Sequence, residues 1–167
     1  LFCVDGLKGF KEAINAAYPK AGIQRCIIHQ IRYSTRYVGY KDIKQLMADL
    51  KLVYQAVTEE EALNNLVSFK EKWGKAYPSC VKSWEDNWDI LSTFFAYPAE
   101  IRKIIYTTNI IEGLNRQFRQ VTKNKPSFQN DESLKKILYL ASKKIVERWT
   151  QRCRNWDVVL SELSIMF

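Results

Sequence analysis

The chain has 167 residues, 47% of them hydrophobic and 26% charged, with a net charge of +8 at pH 7. That length suits one domain, or one domain with a sizeable insertion, and it can bury a real core. The apolar runs are far too short to span a membrane, and the opening run, Leu1 to Val4, is no signal peptide. The four cysteines (Cys3, Cys26, Cys80, Cys153) are scattered without a CxxC pair, beside a single His, which argues against a compact zinc site and for free, buried thiols in a reducing, cytosolic setting.

In chain order, Leu1-Phe-Cys-Val4 followed by Asp5-Gly6 predicts the end of a buried strand and a turn. Phe10, Ala13, Ile14 and Ala17 recur at helical spacing, and Pro19 closes that helix. Ile23 to Ile28 predicts a second strand ending at His29, so the order is that of a parallel strand-helix-strand unit. From about residue 30 the pattern is helical. Ile43, Leu46, Met47, Leu50, Val53 and Val57 form one apolar stripe. Thr58 with Glu61 is a capping box opening a helix that buries Ala62, Leu63, Leu66, Val67, Phe69 and Trp73 and ends at Gly74 and Pro78. Val81, Trp84, Trp88, Leu91 and Phe95 predict one further helix up to Pro98. Then come a helix over 109–122, a loop from Lys123 to Asn130 containing Pro126, and a long helix capped by Asp131 that runs through Leu134, Ile137, Leu138, Ala141, Ile145 and Trp149. Trp156, Val159, Leu160 and Leu163 make a last amphipathic stretch. There is no internal repeat and no low-complexity segment. A buried strand needs neighbours on both sides, and this chain supplies one, so the natural domain is expected to start upstream of residue 1.

The basic charge is concentrated. Residues 101–154 hold 13 Lys/Arg against 4 Asp/Glu, a surplus of +9, while the remainder carries −1. Such a field attracts polyanions, though a solvated basic surface would look the same from charge alone.

Three places carry candidate chemistry. Asp5 stands at the C-terminal end of a strand, where α/β folds place ligand-binding side chains; the plainer reading is an Asp-Gly turn whose Asp serves local backbone donors. Glu112 opens the helix Asn109-Ile-Ile-Glu112, which by itself is a capping box with Asn109 as N-cap. Behind it, Ile111, Leu114, Phe118 and Val121 form an expected buried stripe, and Glu112, Arg116, Arg119 and Lys123 recur on the adjoining face. Helix-stabilising pairs account for part of that face but not for Thr107, Thr108, Asn109 and Asn115 gathering at its start. Cys26 and His29 are two spaced residues, on opposite faces of a strand unless the strand ends between them. A packed Cys26, and a His29 orienting something at the strand end, is preferred to metal ligation.

Together, Val4-Asp5-Gly6-Leu7-Lys8-Gly9-Phe10, Gln24-Arg25-Cys26-Ile27-Ile28-His29-Gln30-Ile31-Arg32, Tyr97-Pro98 with Ile101-Arg102, Tyr106 to Arg119 and Trp156 resemble the Mutator-type transposases of bacterial insertion sequences, a branch of the RNase H-like DDE enzymes. The resemblance runs along the whole chain. It implies an α/β, mostly helical, incomplete RNase H-like fold with two strands retained: residues 1–34 as partial core, 35–105 as an all-α insertion, and 106–167 as the core's C-terminal helices. It matches Asp5 and Glu112 to two of three metal-binding carboxylates that hold two Mg²⁺ (or Mn²⁺) ions, with no match here for the first Asp. It makes Cys26 and His29 a motif of structural or DNA-related role, with Asn109 and Asn115 in the acidic segment. It further implies transposon ends and target DNA as partners and a bacterial, nucleoid-associated cytoplasmic setting. A homo-oligomer is expected because the missing strands leave a sheet edge exposed, and no membrane is expected because the apolar runs are short.

Carboxylates are the right ligands for a hard cation, and Cys/His are not. Arg116, Arg119, Lys123 and Lys125 are then expected to hold DNA phosphates, and Trp, Tyr and Arg of the insertion to stack on unpaired bases. With two of three carboxylates, the isolated chain is expected to be inactive in strand transfer. The rival reading is a non-catalytic helical DNA-binding module, and a third is a helical interaction domain whose charge is only solvation.

Overall fold

The structure, a computed structural model, describes residues 1–106, 109–125, 127–150 and 154–166, the side chain of Asn109 excepted. The expectations placed on Thr107, Thr108, Pro126 and Cys153 lie outside them. The described residues are mostly helical, with one two-stranded parallel sheet, and the chain divides into two units, Leu1–Thr107 and Thr108–Phe167.

In the first unit, β1 (Phe2–Val4) pairs with β2 (Ile23–Arg25) in the register Phe2↔Ile23, Cys3↔Gln24, Val4↔Arg25. Parallel strands need a crossover, and α1 (Phe10–Ala17) supplies it. It ends before Pro19, with the Tyr18 N–H donating to the Ile14 carbonyl at 2.7 Å. Gln24 is fully buried and its Nε2 donates to the Leu91 carbonyl at 3.1 Å, while the Thr93 hydroxyl donates to the Ile23 carbonyl at 2.8 Å. These bonds fasten β2 to the helical residues that follow.

The second strand is shorter than expected. It stops at Arg25, Cys26 becomes the N-cap of α2 (Ile27–Thr35), and His29 lies in that helix's first turn rather than at a strand end. A short apolar run such as Cys26-Ile27-Ile28 has no period that separates strand from buried helix. The face that α2 buries is Ile27, Gln30, Ile31 and Ser34, which is helical spacing with two polar members. Each makes a side-chain bond: Gln30 Nε2 donates to Ser83 Oγ at 2.7 Å, and Ser34 Oγ accepts from Trp84 Nε1 at 2.7 Å, while Gln30 Oε1 is buried without a partner.

Helix α3 (Tyr40–Tyr54) packs its Leu46, Leu50 and Val53 with Ala62, Leu66, Phe69 and Trp73 of α4 (Glu59–Trp73) in one core. The capping box forms: Thr58 Oγ1 accepts from the Glu61 N–H at 3.1 Å, and Glu61 Oε2 accepts from the Val57 N–H at 2.8 Å. The single helix expected over Val81–Phe95 is instead α5 (Pro78–Glu85), the short α6 (Trp88–Leu91) and a 3₁₀ helix (Ser92–Ala96). Asn87 makes the break. Its Nδ2 donates to the Ser83 carbonyl at 2.7 Å, standing in for the next helical N–H, and its Oδ1 accepts from Arg25 of β2. Helix α7 (Ala99–Ile105) carries Arg102, which donates to the carbonyls of Tyr97 (2.6 Å), Val57 (2.9 Å) and Phe95 (2.9 Å).

The second unit holds α8 (Asn109–Thr122), α9 (Asp131–Arg148) and α10 (Trp156–Met166), with α8 packed on α9. Asn130, not Asp131, caps α9: its Oδ1 accepts from the Ser133 N–H at 2.8 Å, which places Asp131 at the first helical position. The expected buried stripe of α8 is only partly buried. Leu114 and Phe118 are half-buried, but Ile111 and Val121 are 51% and 39% exposed. One packed neighbour covers a band narrower than that row of apolar residues.

Candidate functional site

Asp5 directly follows Val4, so the end of β1 delivers it, half-buried, to a cavity also lined by Lys8, Lys11, Arg25 and Asn87. The turn after it is closed by backbone, the Leu7 N–H donating to the Asp5 carbonyl at 2.6 Å, and among the described residues no hydrogen bond reaches the Asp5 carboxylate. The side chain is therefore not occupied in shaping its own turn. An oxygen donor so placed is suited to a hard divalent cation. Among the described residues no three His, Cys, Asp or Glu gather into a metal site by themselves.

Arg25 faces Asp5 from the end of β2. It donates to Asn87 Oδ1, and its guanidinium lies so close over Gly6 that a Cβ there would overlap it. Burial pushes the Arg25 pKa down, opposed by the nearby Tyr33 hydroxyl and Asp5 carboxylate. Lys11 pairs with Asp89 at 2.5 Å on the same side. Arg25 and Asn87 were not singled out from the sequence as site residues. Arg25 sits inside the segment Gln24-Arg25-Cys26, which was a signal; Asn87 lies 62 residues away along the chain and gave none.

Cys26 is fully buried at the start of α2, as its packed reading required, and His29 is half-buried three residues on. Cys26 and Cys80 are buried and Cys3 is half-buried, none of the three in a disulfide. Burial pushes the thiol pKa values of Cys3 and Cys80 up, the direction of inert packing rather than of nucleophiles.

Helix α8 carries the other candidates. Asn109 is its first residue, and the expected capping role of its side chain lies outside what is described. Glu112 is in the first turn and half-buried; Asn115, Arg116 and Arg119 are exposed. Lys123 and Lys125 follow the helix, exposed, with Lys125 Nζ 5.8 Å from the centre of the Phe128 ring. An acid at the start and Arg119 in the last turn also suit the helix dipole. That leaves Arg116, Lys123 and Lys125 as a cationic run, and α9 adds Lys135, Lys136, Lys143 and Lys144. No helix among the described residues is long and apolar enough to cross a membrane.

Comparison with known proteins bears on both halves. The family model described as "Transposase, Mutator family" matches residues 1–152. A transposase for insertion sequence element ISRM3 of Rhizobium meliloti (strain 1021) is 41% identical over 165 residues, 98% of this chain and 41% of that protein. A probable insertion-sequence transposase of Corynebacterium diphtheriae is 42% identical over 141 residues, 84% of this chain and 41% of its own length. The transposase for insertion sequence element IS905 of Lactococcus lactis subsp. lactis (strain IL1403) is 38% identical over 138 residues, 83% of this chain and 35% of its own length. The chain thus spans about two-fifths of the length of the curated relatives it matches.

Proposed function

The chain belongs to the Mutator family of transposases, and from that premise we propose that it contributes Asp5 and Glu112 to a divalent-metal site that cuts and joins DNA strands during transposition. The observation that carries this is the Asp5 carboxylate: delivered by a strand end, unused by its own turn, and set beside Arg25 and Lys8. In this reading residues 1–34 and 106–167 belong to an RNase H-like core and 35–105 to its helical insertion.

Mg²⁺ or Mn²⁺, held by the two carboxylates and a third acid that this chain does not match, would activate the attacking hydroxyl and stabilise the leaving oxygen. The chain's own residues do the rest. Arg25 holds the Asp5 turn in place and presents positive charge to the scissile phosphate. Arg116, Arg119, Lys123 and Lys125 grip flanking phosphates, which positions DNA without reading its sequence. Cys26 packs the start of α2 beneath the strand ends. Transposon ends and target DNA are the partners, and the outer edge of β1 is a place for self-association.

The test has two arms. In the complete transposase containing this segment, Asp5→Asn and Glu112→Gln are expected to abolish strand transfer while leaving protein level and duplex affinity unchanged. Transfer retained in either variant would sink the carboxylate assignment and leave a helical DNA-binding module. The chain alone is expected to leave plasmid DNA uncut in Mg²⁺ or Mn²⁺; cutting that disappears in Glu112→Gln would overturn that expectation.

A further inference from the structure

The end of α2 repeats a dipeptide, Arg32-Tyr33 and Arg36-Tyr37, four residues apart. The core uses neither tyrosine: Tyr33 is 54% exposed and Tyr37 73%. Both border a cavity of about 290 Å³ that Tyr77, Pro78 and Ser79 close from the far side, with the buried Ser34 and Cys80 also in its lining. That is the small end of ligand-site volumes, suited to one planar ring system.

The walls are preformed. Tyr77 donates its hydroxyl to Asp42 Oδ2 at 2.7 Å and accepts from the Gly39 N–H at 3.3 Å, and its ring lies 6.0 Å from that of Trp73. Ser34 Oγ is taken up by Trp84 and by the Gln30 carbonyl. The rim is basic: the Arg36 guanidinium sits 5.4 Å from the Tyr37 ring centre, and exposed Lys75 adjoins the lining residue Ala76. Asp42, the acid beside it, accepts the Tyr77 hydroxyl at one carboxylate oxygen. Exposed rings interleaved with cations, around a slot one ring system in size, are the components by which proteins hold unpaired bases: stacking supplies affinity and the cations meet the backbone.

We propose that this pocket receives an unpaired nucleobase of DNA, stacked on Tyr33 and Tyr37, with Arg36 and Lys75 facing the adjoining phosphates. The inference rests on the reading that the chain handles DNA, but it uses neither Asp5 and Glu112 nor the α8 cations.

The probe is a short oligonucleotide carrying 2-aminopurine, single-stranded or as an unpaired base in a duplex, titrated with the chain. Saturable quenching of the probe is expected. Tyr33→Ala and Tyr37→Ala should each weaken binding of the unpaired base about 5- to 100-fold, with Tyr37→Phe restoring it. Both positions are exposed, so the melting temperature should hold. Quenching and affinity unchanged in the Tyr33→Ala/Tyr37→Ala double variant would overturn the pocket. Duplex binding without quenching would also overturn it, yet spare the DNA reading, whereas no binding to any DNA at low salt would end both. Arg116→Ala/Arg119→Ala should lower duplex affinity and leave the quenching amplitude intact.

Discussion

The two units are built on different terms. In Leu1–Thr107, helices from distant parts of the chain close over large buried side chains such as Trp84, Phe69, Leu46 and Ile27, and the buried Gln24, Gln30 and Ser34 each make side-chain hydrogen bonds to distant residues. In Thr108–Phe167, only Ala141, Ile145 and Val159 are buried apolar residues among those described, while Ile110, Ile111, Tyr139, Leu140, Val146, Trp149, Leu160 and Ile165 are exposed. Its helices are specified locally, α9 by the Asn130 cap and α8 by a strongly amphipathic pattern, but most helical stability comes from packing an apolar face. The first unit holds itself together. The second has the helices of a folded domain without an equivalent core of its own.

The sharpest way to break this comparison is Trp84→Ala. The side chain is 1% exposed and its Nε1 donates to Ser34, so the change should cost unit 1 about 3–5 kcal/mol in denaturant unfolding. A loss near that of a surface change would mean the core is not what holds this unit.

Asp49→Ala should cost less, about 1–2 kcal/mol, because it strands the Trp73 indole N–H now donating to Asp49 Oδ2 at 2.8 Å. Its pH dependence gives a second check. Burial raises the Asp49 pKa, but hydrogen bonds from Lys72, Trp73 and Gln45 outweigh it and hold the carboxyl below its ordinary value. A depressed native pKa means the contribution is present above an unfolded value of about 3.9 and fades as pH falls through the native one. The gap between wild type and variant should therefore be constant near neutrality and narrow below about pH 4. A gap that widens on acidification would reverse the assignment.

The smallest effect sharpens the other side. Ile111→Ser on α8 should change stability by no more than about 0.5 kcal/mol, as surface substitutions do. A core-sized loss would show that unit 2 buries this face after all.

Much of this was legible. The strand-helix-strand order, the Thr58–Glu61 capping box, and the bounds of α8 follow from local pattern and turn chemistry, which single residues announce. The rest depended on partners far away in sequence. The buried face of α2 includes Gln30 and Ser34, so a search for apolar periodicity passes over it; Ser83 and Trp84 make those polar groups burial-ready. The break at Asn87 has neither Gly nor Pro to mark it and depends on Arg25. The site shows the same division. Asp5 stood out as a candidate because a strand end and an Asp-Gly pair are local signals, while the placement of Arg25 beside it emerges only when β2 lies beside β1. Arg102 belonged to the motif that suggested the family, and the structure gives it a purely architectural task, holding three carbonyls.

The overlap of Arg25 with the space above Gly6 has a bearing on descent. Gly6 shows no left-handed backbone that would demand glycine, and what a side chain there would meet is the far end of one flexible arginine. The two positions are therefore coupled without being locked in order: a small side chain at position 6 fits once the Arg25 guanidinium swings aside, at the expense of its bond to Asn87. In an aligned set of such sequences, side chains at position 6 should go with a loosened Arg25–Asn87 pairing rather than with a small residue at position 25.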